Sequence, residues 1–267
     1  MTTRIGIAGC GGRVGRLLIR TIHETPGASV AAGSVRPEDD AVGRDLGELA
    51  GIAAIGVVAT GSAQALFEAS DVVIDFTTPQ ATLEHAAIAR ATGTAMVIGT
   101  TGIEAAGRAE LEEAAGSTAI VLAANMSLGI NLLLGITRRI AAALDEDFDI
   151  EIVEMHHRHK ADAPSGTALA LGRAAAHGRG VDHDAVAVRG RDGITGARRR
   201  GDIGYAVLRG GNVVGAHSVV FAADNEHIEI THRAADRAIF ARGAVTAALW
   251  ARGQPPGLYG MADVLGL

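Results

Sequence analysis

Three histidines and a lysine occupy four of five consecutive positions near the middle of the chain, as His156, His157, His159 and Lys160. Imidazole titrates near neutral pH, and a lysine beside other cations can donate a proton, so these residue types suit general acid–base chemistry. We interpret His159 as a surface residue. Asp162 either orients Lys160 or stabilises the turn, and we favour the second role. The cluster predicts a proton-transfer site.

The same stretch runs into the predicted start of a helix. Pro164 lacks an N–H group and Ser165 is a favoured N-cap, and good helix formers follow. The first N–H groups of a helix have no partner within it, so those of Gly166 and Thr167 are suited to binding a carboxylate or phosphate. The residues therefore predict a site for a small anion beside the proton-transfer groups.

A zinc site is the alternative interpretation of three close histidines. Adjacent side chains of an extended chain point to opposite sides, so His156 and His157 do not converge on one ion. No cysteine or nearby repeat completes a ligand set, and we predict no metal. We expect the histidines elsewhere to be structural, at His85, His183, His217 and His232.

The elements that must position this stretch form an α+β region over residues 127–234. An amphipathic helix is predicted at 128–144, and an alternating strand at 147–154 leads into the histidines. Glycine and asparagine turns between later strands are typical of antiparallel pairing. We therefore predict a second domain with a mixed, mostly antiparallel sheet. The run Arg198-Arg199-Arg200 is interpreted as a mobile, solvated loop of this domain.

A glycine-rich segment follows the first predicted strand, at residues 4–9. Glycines stand at positions 9, 11, 12 and 15, and a helical pattern follows. Strand, glycine loop and helix form the context of a dinucleotide fingerprint, although strict GxGxxG spacing fails because Val14 takes the place of the third glycine. A tight turn without a ligand is the alternative. We favour a pyrophosphate site.

Predicted strands and helices alternate through residues 1–126. This rhythm is typical of α/β proteins and predicts a Rossmann-like, doubly wound parallel sheet, which a last helix rejoins within about residues 235–267. The strands are predicted at 28–33, 52–58, 71–76, 95–99 and 119–123. Ligands of such sheets bind beyond the carboxyl ends of the strands. Small and amide side chains follow three of these ends, at 76–79, 99–102 and 123–126.

The segment after the second strand bears on the choice of nicotinamide cofactor. An acidic residue there binds the ribose of NAD, whereas an arginine accepts the 2′-phosphate of NADP. Arg36 comes first in this segment, Arg13 is a second candidate, and the acids fall later. The sequence favours NADPH, with NADH as a possible second cofactor.

Composition excludes several classes of function. The formal charge of -6 argues against general binding to nucleic acid or an anionic membrane, and 3% aromatic residues leave few platforms for stacking bases. The single cysteine, Cys10, excludes an internal disulfide framework. No apolar run is long enough to span a bilayer. We predict a cytoplasmic protein.

The stretch EMHHRHKADAPSGTAL resembles the signature of the dihydrodipicolinate reductase family. The resemblance covers the whole chain, because GCGGRVGR, VIGTTG, AANMSLGIN, GDIGYAVLRGGNVVGAH and EITHRAADRAIFARGAV are similar to further blocks of that family. It implies NAD(P)H-dependent reduction of 4-hydroxy-tetrahydrodipicolinate, a small cyclic dicarboxylate, in the diaminopimelate route to lysine. It also implies a homotetramer assembled through the sheets of the second domain.

The resemblance assigns roles by position. His156 is implied as the general acid–base, Lys160 as a proton donor and His157 as a substrate contact. The backbone of Gly166 and Thr167 is implied to bind a substrate carboxylate. The implied cofactor contacts are Gly9, Cys10, Gly11, Gly12, Arg13 and Val14 at the pyrophosphate, and Gly99, Thr100, Thr101, Ala123, Ala124, Asn125 and Met126 at the nicotinamide.

Two positions depart from the family pattern. Val35 stands where members that use NADH carry an acid, which again favours NADPH, and Met126 stands where an aromatic residue is common.

Two other functions stay open. A reductase of an aldehyde or sugar shares the nucleotide domain but has no need for the anion site, and a nucleotide sensor has no need for His156 and Lys160.

Overall fold

A computed structural model describes residues 1–267, and the chain divides into two compact units. The first unit is discontinuous and contains Met1–Leu128 and Ala238–Leu267. The second is the continuous segment Gly129–Arg237. None of the helices has the length and apolar character needed to cross a bilayer.

Twelve strands and ten helices make up the two units. In chain order they are β1 (Thr3–Ala8), α1 (Arg13–Glu24), β2 (Ala28–Ser34), α2 (Leu46–Ala50), β3 (Ala59–Thr60), α3 (Ala63–Glu68), β4 (Val72–Asp75), α4 (Pro79–Thr92), β5 (Ala95–Ile98), α5 (Ala105–Ala115), β6 (Ala119–Leu122), α6 (Leu128–Ala143), β7 (Asp149–His156), α7 (Gly166–Arg179), α8 (His183–Val186), β8 (Ala187–Val188), β9 (Ile203–Arg209), β10 (Gly215–Ala222), β11 (His227–Ala234), α9 (Ala238–Ala251), β12 (Gly257–Tyr259) and α10 (Met261–Leu265).

The first unit is built on a seven-stranded sheet in the order β12-β6-β5-β4-β1-β2-β3. Every pairing in it is parallel. The predicted Rossmann-like, doubly wound sheet is therefore confirmed. The strand order reverses between β1 and β4, and in such sheets this reversal opens the crevice where ligands bind. The glycine loop follows β1 at that point.

Apolar side chains alternate between the two faces of this sheet. Val72 and Ile74 of β4 pack into one core together with α1 and α9, whereas Val73 packs into a second core with α3, α4 and α5. Both faces of a parallel sheet need such cover, because its strands are apolar on both sides. The returning helix α9 thus completes the first unit by burying residues such as Ala244 and Ala248.

The predicted strand at residues 52–58 is wrong. Only β3, immediately after it, pairs with β2. The Asp45 carboxylate accepts the backbone N–H groups of Ile55 and Gly56, at 3.0 and 2.8 Å, so these donors are bound by a side chain instead of a strand ladder. Ile52, Ile55 and Val57 still pack on the core from this loop, which explains the apolar pattern.

The second unit has a five-stranded sheet in the order β11-β10-β7-β9-β8. It is mixed, as predicted. The ladders β7–β10 and β10–β11 are antiparallel and make up most of the pairing. The ladders β7–β9 and β8–β9 are parallel, and a crossover containing α7 and α8 lies between β7 and β9 along the chain. Helices α6 and α7 cover one face of this sheet.

The arginine run of the second unit is only in part the solvated loop that we predicted, because Arg199 and Arg200 are 70% and 63% exposed but Arg198 is not. The side chain of Arg198 is only 18% exposed and donates to Asp149 Oδ1 at 2.6 Å and to Glu151 Oε1 at 2.9 Å. Arg199 pairs with Asp202, 2.8 Å away. Acidic residues on and around β7 explain this difference, since they give the guanidinium groups fixed partners. The run fastens the loop before β9 to β7.

Candidate active site

Strand β7 ends in a buried pair of a carboxylate and an imidazole. Its alternation buries Glu154 and His156 on the face that also carries Ile150 and Ile152. His156 Nδ1 lies 2.6 Å from Glu154 Oε2. A buried carboxylate is costly unless it is paired and hydrogen-bonded, so the position of Glu154 demands further partners.

Those partners come from two other segments. Arg209 donates from both terminal nitrogens to the two oxygens of Glu154, at 2.8 and 2.9 Å, and the Ser165 N–H donates to Oε1 at 3.0 Å. Burial acts to raise the pKa of Glu154, but the hydrogen bonds from Arg209, His156 and Ser165 outweigh it, and the net pKa is lowered. Glu154 is therefore an ionised carboxylate in a dry site.

The register of the sheet brings these residues together. Arg209 ends β9 directly opposite His156, and His217 of β10 lies opposite Glu154. His217 Nε2 is 3.1 Å from Ser165 Oγ. We expected His217 to be a structural histidine; its ring is buried and hydrogen-bonded, and it also packs against His156.

The turn after β7 carries the remaining cations. Lys160 Nζ lies 2.8 Å from Asp162 Oδ1, which supports the role for Asp162 that we did not favour, namely orienting Lys160. Burial lowers the pKa of His157, and the positive charges of Arg237 and His159 lower it further. His159 is exposed, as expected. This is a region of positive potential at the end of β7.

Helix α7 begins where the sequence predicted, next to this turn. Ser165 is its N-cap and accepts the Ala168 N–H at 3.2 Å. Gly166 is exposed, and a Cβ atom there would meet nothing within 4 Å. Thr167 follows and is half-buried. The helix start, with its positive end of the dipole, is open at Gly166 and close in sequence to Lys160.

The glycine loop of the first unit makes a tight turn between β1 and α1. Gly9 has a φ of +73°, which L-residues with side chains rarely adopt. The Gly12 N–H donates to the Gly9 carbonyl at 3.0 Å, and Gly12 is an N-cap without a side chain to satisfy the first turn. A Cβ on Gly15 would lie 2.7 Å from Cys10 Cα. These features fit a pyrophosphate at a helix start.

The side chains of the other residues in and near this loop differ in their exposure to solvent. Cys10 is fully buried, and burial raises the pKa of its thiol to about 11, so only its backbone faces the loop. Arg13 is exposed and Val14 is half-buried at the start of α1, and Gly11 lies beside Val35. The side chain of Arg36 is 80% exposed, two residues beyond β2.

The predicted nicotinamide residues lie at the carboxyl ends of β5 and β6. Gly99 packs on the ring of Phe76, leaving no room there for a side chain. Thr101 and Ala124 are exposed, whereas Thr100 and Met126 are buried. Ala123 and Asn125 are half-buried. The side chain of Met126 packs in the core of the first unit.

A buried polar network that sequence analysis missed supports these ends. Asp75, the last residue of β4, accepts Thr77 N–H at 2.8 Å and Thr77 Oγ1–H at 2.6 Å, and lies 2.7 Å from His85 Nδ1. Thr100 Oγ1 accepts hydrogen bonds from the Thr77 N–H at 3.1 Å and from Thr82 Oγ1 at 2.9 Å. The ends of β4 and β5 are thus fixed to each other.

The structure contains no group of three or more His, Cys, Asp or Glu side chains arranged to bind a metal ion. Sequence analysis missed Arg209 and His217 because both lie more than 50 residues from Glu154 along the chain. One signal was present in the sequence. Glu154 lies two and four residues after Ile152 and Ile150, so the alternation of the strand places its charge on their apolar face, where a charge requires a partner.

The parallel sheet with its glycine loop and the acid–base cluster beside an open helix start are features of a nicotinamide-dependent oxidoreductase. Residues 3–126 match the family described as "Dihydrodipicolinate reductase, N-terminus", and residues 129–265 match "Dihydrodipicolinate reductase, C-terminus". The chain belongs to the dihydrodipicolinate reductase family.

Relatives of known name agree with this membership. The 4-hydroxy-tetrahydrodipicolinate reductase of Parvibaculum lavamentivorans is 56% identical over 99% of this chain and 98% of that protein. The protein of the same name from Rhodopseudomonas palustris is 54% identical over 99% of this chain and 97% of its own length.

Solved structures share the fold. The dipicolinate-bound dihydrodipicolinate reductase from a Paenisporosarcina species has a TM-score of 0.79 at 22% identity, covering 98% of this chain and 99% of its own. A myo-inositol dehydrogenase from Corynebacterium glutamicum has a TM-score of 0.60 at 13% identity, over 96% of this chain and 90% of its own. Because a dehydrogenase named for a different substrate also shares the fold, the fold alone does not identify the substrate.

Proposed function

We propose that this protein reduces 4-hydroxy-tetrahydrodipicolinate to tetrahydrodipicolinate with NAD(P)H, in the diaminopimelate route to lysine. The observation that carries the proposal is the second unit's cluster, in which His156 and Lys160 precede the open N-terminus of α7 within one short segment. A reductase of uncharged aldehydes has no use for such a cationic site. Names of relatives more than 50% identical over nearly the whole chain support the same substrate.

The substrate carries two carboxylates, and the site offers matching positive groups. The backbone N–H groups of Gly166 and Thr167 bind one carboxylate at the start of α7. His157 contacts the substrate, and the charge of Arg237, which acts on His157, adds to the attraction. A helix start neutralises a carboxylate without taking part in proton exchange, so binding and acid–base chemistry stay separate.

Reduction requires loss of the 4-hydroxyl group as water and uptake of a hydride and a proton. His156 serves as the general acid–base, because its imidazole can both accept and release a proton and is held by Glu154. Lys160, oriented by Asp162, donates a proton to the leaving hydroxyl or the ring. Both side chains are largely shielded from solvent, which limits exchange of the proton with water.

The first unit binds the cofactor, which supplies the hydride when bound. The loop from Gly9 to Val14 holds the pyrophosphate, and residues 99–101 and 123–126 line the nicotinamide end. Arg36 and Arg13 bind the 2′-phosphate, so NADPH is preferred and NADH is a second cofactor. The exposed guanidinium of Arg36 and the absence of an acid at Val35 support this preference.

The proposal includes a homotetramer in the cytoplasm. The face of the second sheet not covered by α6 and α7 carries Val153, Met155 and Val220 half-buried and Leu208 50% exposed. Such an apolar face on a sheet favours association with other copies. The single buried thiol, Cys10, supports a reducing compartment.

The decisive experiment measures NADPH and NADH oxidation with freshly prepared 4-hydroxy-tetrahydrodipicolinate, for the intact protein and for His156→Ala. We expect turnover with the intact protein, faster with NADPH, and a loss of about 100-fold or more in the variant. Cofactor binding, followed by fluorescence, stays unchanged in the variant. Tight NADPH binding without turnover would instead support a sensor, and turnover of sugars or aldehydes alone would support the other reductase class.

A further inference from the structure

We propose that Glu154 is a positioning residue that fixes both His156 and the start of α7 through one carboxylate. The inference rests on the proposed function, in which His156 exchanges a proton with the substrate and α7 binds a substrate carboxylate. Glu154 itself touches neither substrate nor cofactor in this scheme. Its role is to hold the acid–base group and the anion site in one fixed arrangement.

The first part of the argument concerns the ring of His156. An ionised carboxylate only accepts hydrogen bonds, so at 2.6 Å from Glu154 Oε2 the Nδ1 atom of His156 carries a hydrogen. In the neutral ring Nε2 is then the basic nitrogen, and it is the nitrogen that exchanges a proton. Nε2 faces Gly215, where a Cβ atom would lie 3.0 Å away. The glycine keeps that side of the ring clear.

The second part concerns the start of α7. Glu154 Oε1 accepts the N–H of Ser165 at 3.0 Å, and the same serine caps the helix through Ala168. The carboxylate group thus bonds to the proton-transfer ring with one oxygen and to the N-cap of the anion-binding helix with the other. A shift of Glu154 displaces both groups together.

Arg209 determines how the carboxylate is oriented. Its two terminal nitrogens bind one oxygen each, which is the bidentate geometry that fixes a carboxylate plane. The same guanidinium donates to the Asp162 carbonyl at 2.7 Å, so the turn between Lys160 and α7 is tied to the same ion pair. The residues of the site therefore converge on one buried charge pair.

An amide cannot replace this carboxylate. Arg209 and the Ser165 N–H are donors only, so Glu154→Gln directs its single oxygen toward Ser165 and its NH₂ group toward His156. Nδ1 must then accept a hydrogen bond, and the hydrogen moves to Nε2. A histidine in the wrong tautomer loses most of its catalytic power, as the substitution of the triad aspartate in serine proteases illustrates with a loss of about 10⁴-fold.

The test compares Glu154→Gln with Glu151→Gln. Glu151 lies on the same strand, points to the opposite face and is also held by arginines, Arg191 and Arg198, so its variant removes the same charge without touching His156. We measure kcat and KM with 4-hydroxy-tetrahydrodipicolinate at saturating NADPH. The tautomer of His156 is read from spectra of ¹⁵N-histidine-labelled protein, assigned with His156→Ala. Circular dichroism and sedimentation establish that each variant keeps its fold and assembly.

We expect Glu154→Gln to lower kcat at least about 100-fold. Its KM changes less than about threefold, because the glutamine oxygen still accepts from Ser165. Its His156 spectrum shifts from the Nδ1–H to the Nε2–H form. Glu154→Ala also removes the acceptor for Ser165, and we expect its KM to exceed that of Glu154→Gln by about tenfold. Glu151→Gln stays within about threefold of the intact protein in both constants.

Activity of Glu154→Gln within threefold of the intact protein, or an unchanged Nδ1–H signal, would overturn the inference. An equal loss of kcat in Glu151→Gln would also overturn the inference, because the loss would then be a general effect of removing a charge from β7. If the intact protein does not reduce the substrate, the proposed function fails, and the tautomer comparison still decides whether Glu154 holds the ring.

Discussion

His217 lies edge-on against His156, with the ring centroids 5.1 Å apart and the ring planes at 74°. Burial lowers the pKa of His217 to about 4, and the neighbouring His156 contributes to this depression. His217 is therefore neutral at physiological pH. It supplies an uncharged wall beside the acid–base ring and a hydrogen-bond partner for Ser165.

The depressed pKa of His217 makes the stability of the protein depend on pH. In the unfolded chain this histidine has a pKa of about 6.5, so between pH 6.5 and 4 the unfolded state binds more protons than the folded state. Its stabilising contribution is complete above pH 6.5 and is lost as pH falls toward 4. We expect a loss of about 2 kcal/mol between pH 7 and pH 5 from this residue alone.

Urea unfolding at pH 7 and pH 5 checks this prediction. His217→Gln keeps a polar partner for Ser165 but does not titrate, so its free energy of unfolding should fall less between the two pH values, by about 2 kcal/mol. Equal pH dependence in the two proteins would contradict the predicted burial of a neutral His217.

The arginine after β2 should control the preference for NADPH. Arg36→Ala removes a guanidinium from the 2′-phosphate, and we expect kcat/KM for NADPH to fall about 10-fold, while the value for NADH changes less than about twofold. The matched variant Val35→Glu introduces an acid, the residue type that binds the ribose of NAD, and should raise kcat/KM for NADH. Steady-state kinetics with both cofactors measure the ratio. An equal loss of kcat/KM with both cofactors in Arg36→Ala would show that Arg36 does not recognise the 2′-phosphate.

The buried carboxylate at the end of β4 should matter more for stability than the surface carboxylate at its start. Asp75→Ala leaves Thr77 and His85 without their shared acceptor, and we expect a loss of about 2–4 kcal/mol in the free energy of unfolding. Asp71→Ala breaks a pair in which Arg4 is 55% exposed and Asp71 is 21% exposed, and it should cost less, about 1 kcal/mol.

Chemical denaturation of both aspartate variants gives these two values. Because the network also fixes residues 76–78 to Thr100, Asp75→Ala should in addition raise the KM for NADPH, and Asp71→Ala should not. Comparable destabilisation by the two substitutions would show that the network of Asp75 carries no special weight.

The apolar face of the second sheet should mediate assembly. Leu208 is 50% exposed and lies opposite Met155 in the ladder of β7 and β9. Leu208→Arg places a charge on this face, and we expect the tetramer to dissociate in sedimentation velocity experiments. The control Leu132→Arg changes an equally exposed leucine of α6, 45% exposed, and should leave assembly intact. A monomeric intact protein would refute the proposed tetramer.

Local patterns in the sequence predicted most of the first unit. The strands β1, β2, β4, β5 and β6 lie within two residues of their predicted bounds, because apolar runs, caps and glycines act over a few residues. Thr78, for example, caps α4 before Pro79, and Gly93 ends it in the left-handed conformation. The short strand β12 was missed, since three residues after two prolines carry no periodic signal.

The candidate site was likewise predicted only in part from the sequence. His156, Lys160 and the start of α7 lie in one segment, so their types and spacing were sufficient to single them out. Arg209 and His217 depend on the register of β9 and β10 against β7, which no local pattern specifies. The fixed Arg198 also escaped prediction, because an arginine run has the same composition whether solvated or paired with acids on a neighbouring strand.

The discontinuity of the first unit has a consequence for the newly made chain. Synthesis proceeds from the N-terminus, so all of Gly129–Arg237 emerges from the ribosome before Ala238. At that moment the first sheet still lacks β12 at its edge, and one of its faces still lacks the cover of α9. The second unit is then complete in sequence, whereas the sheet of the first unit has an apolar face without its cover. The nascent protein thus passes through a stage in which the apolar face that α9 later covers is exposed, and chaperones can bind it.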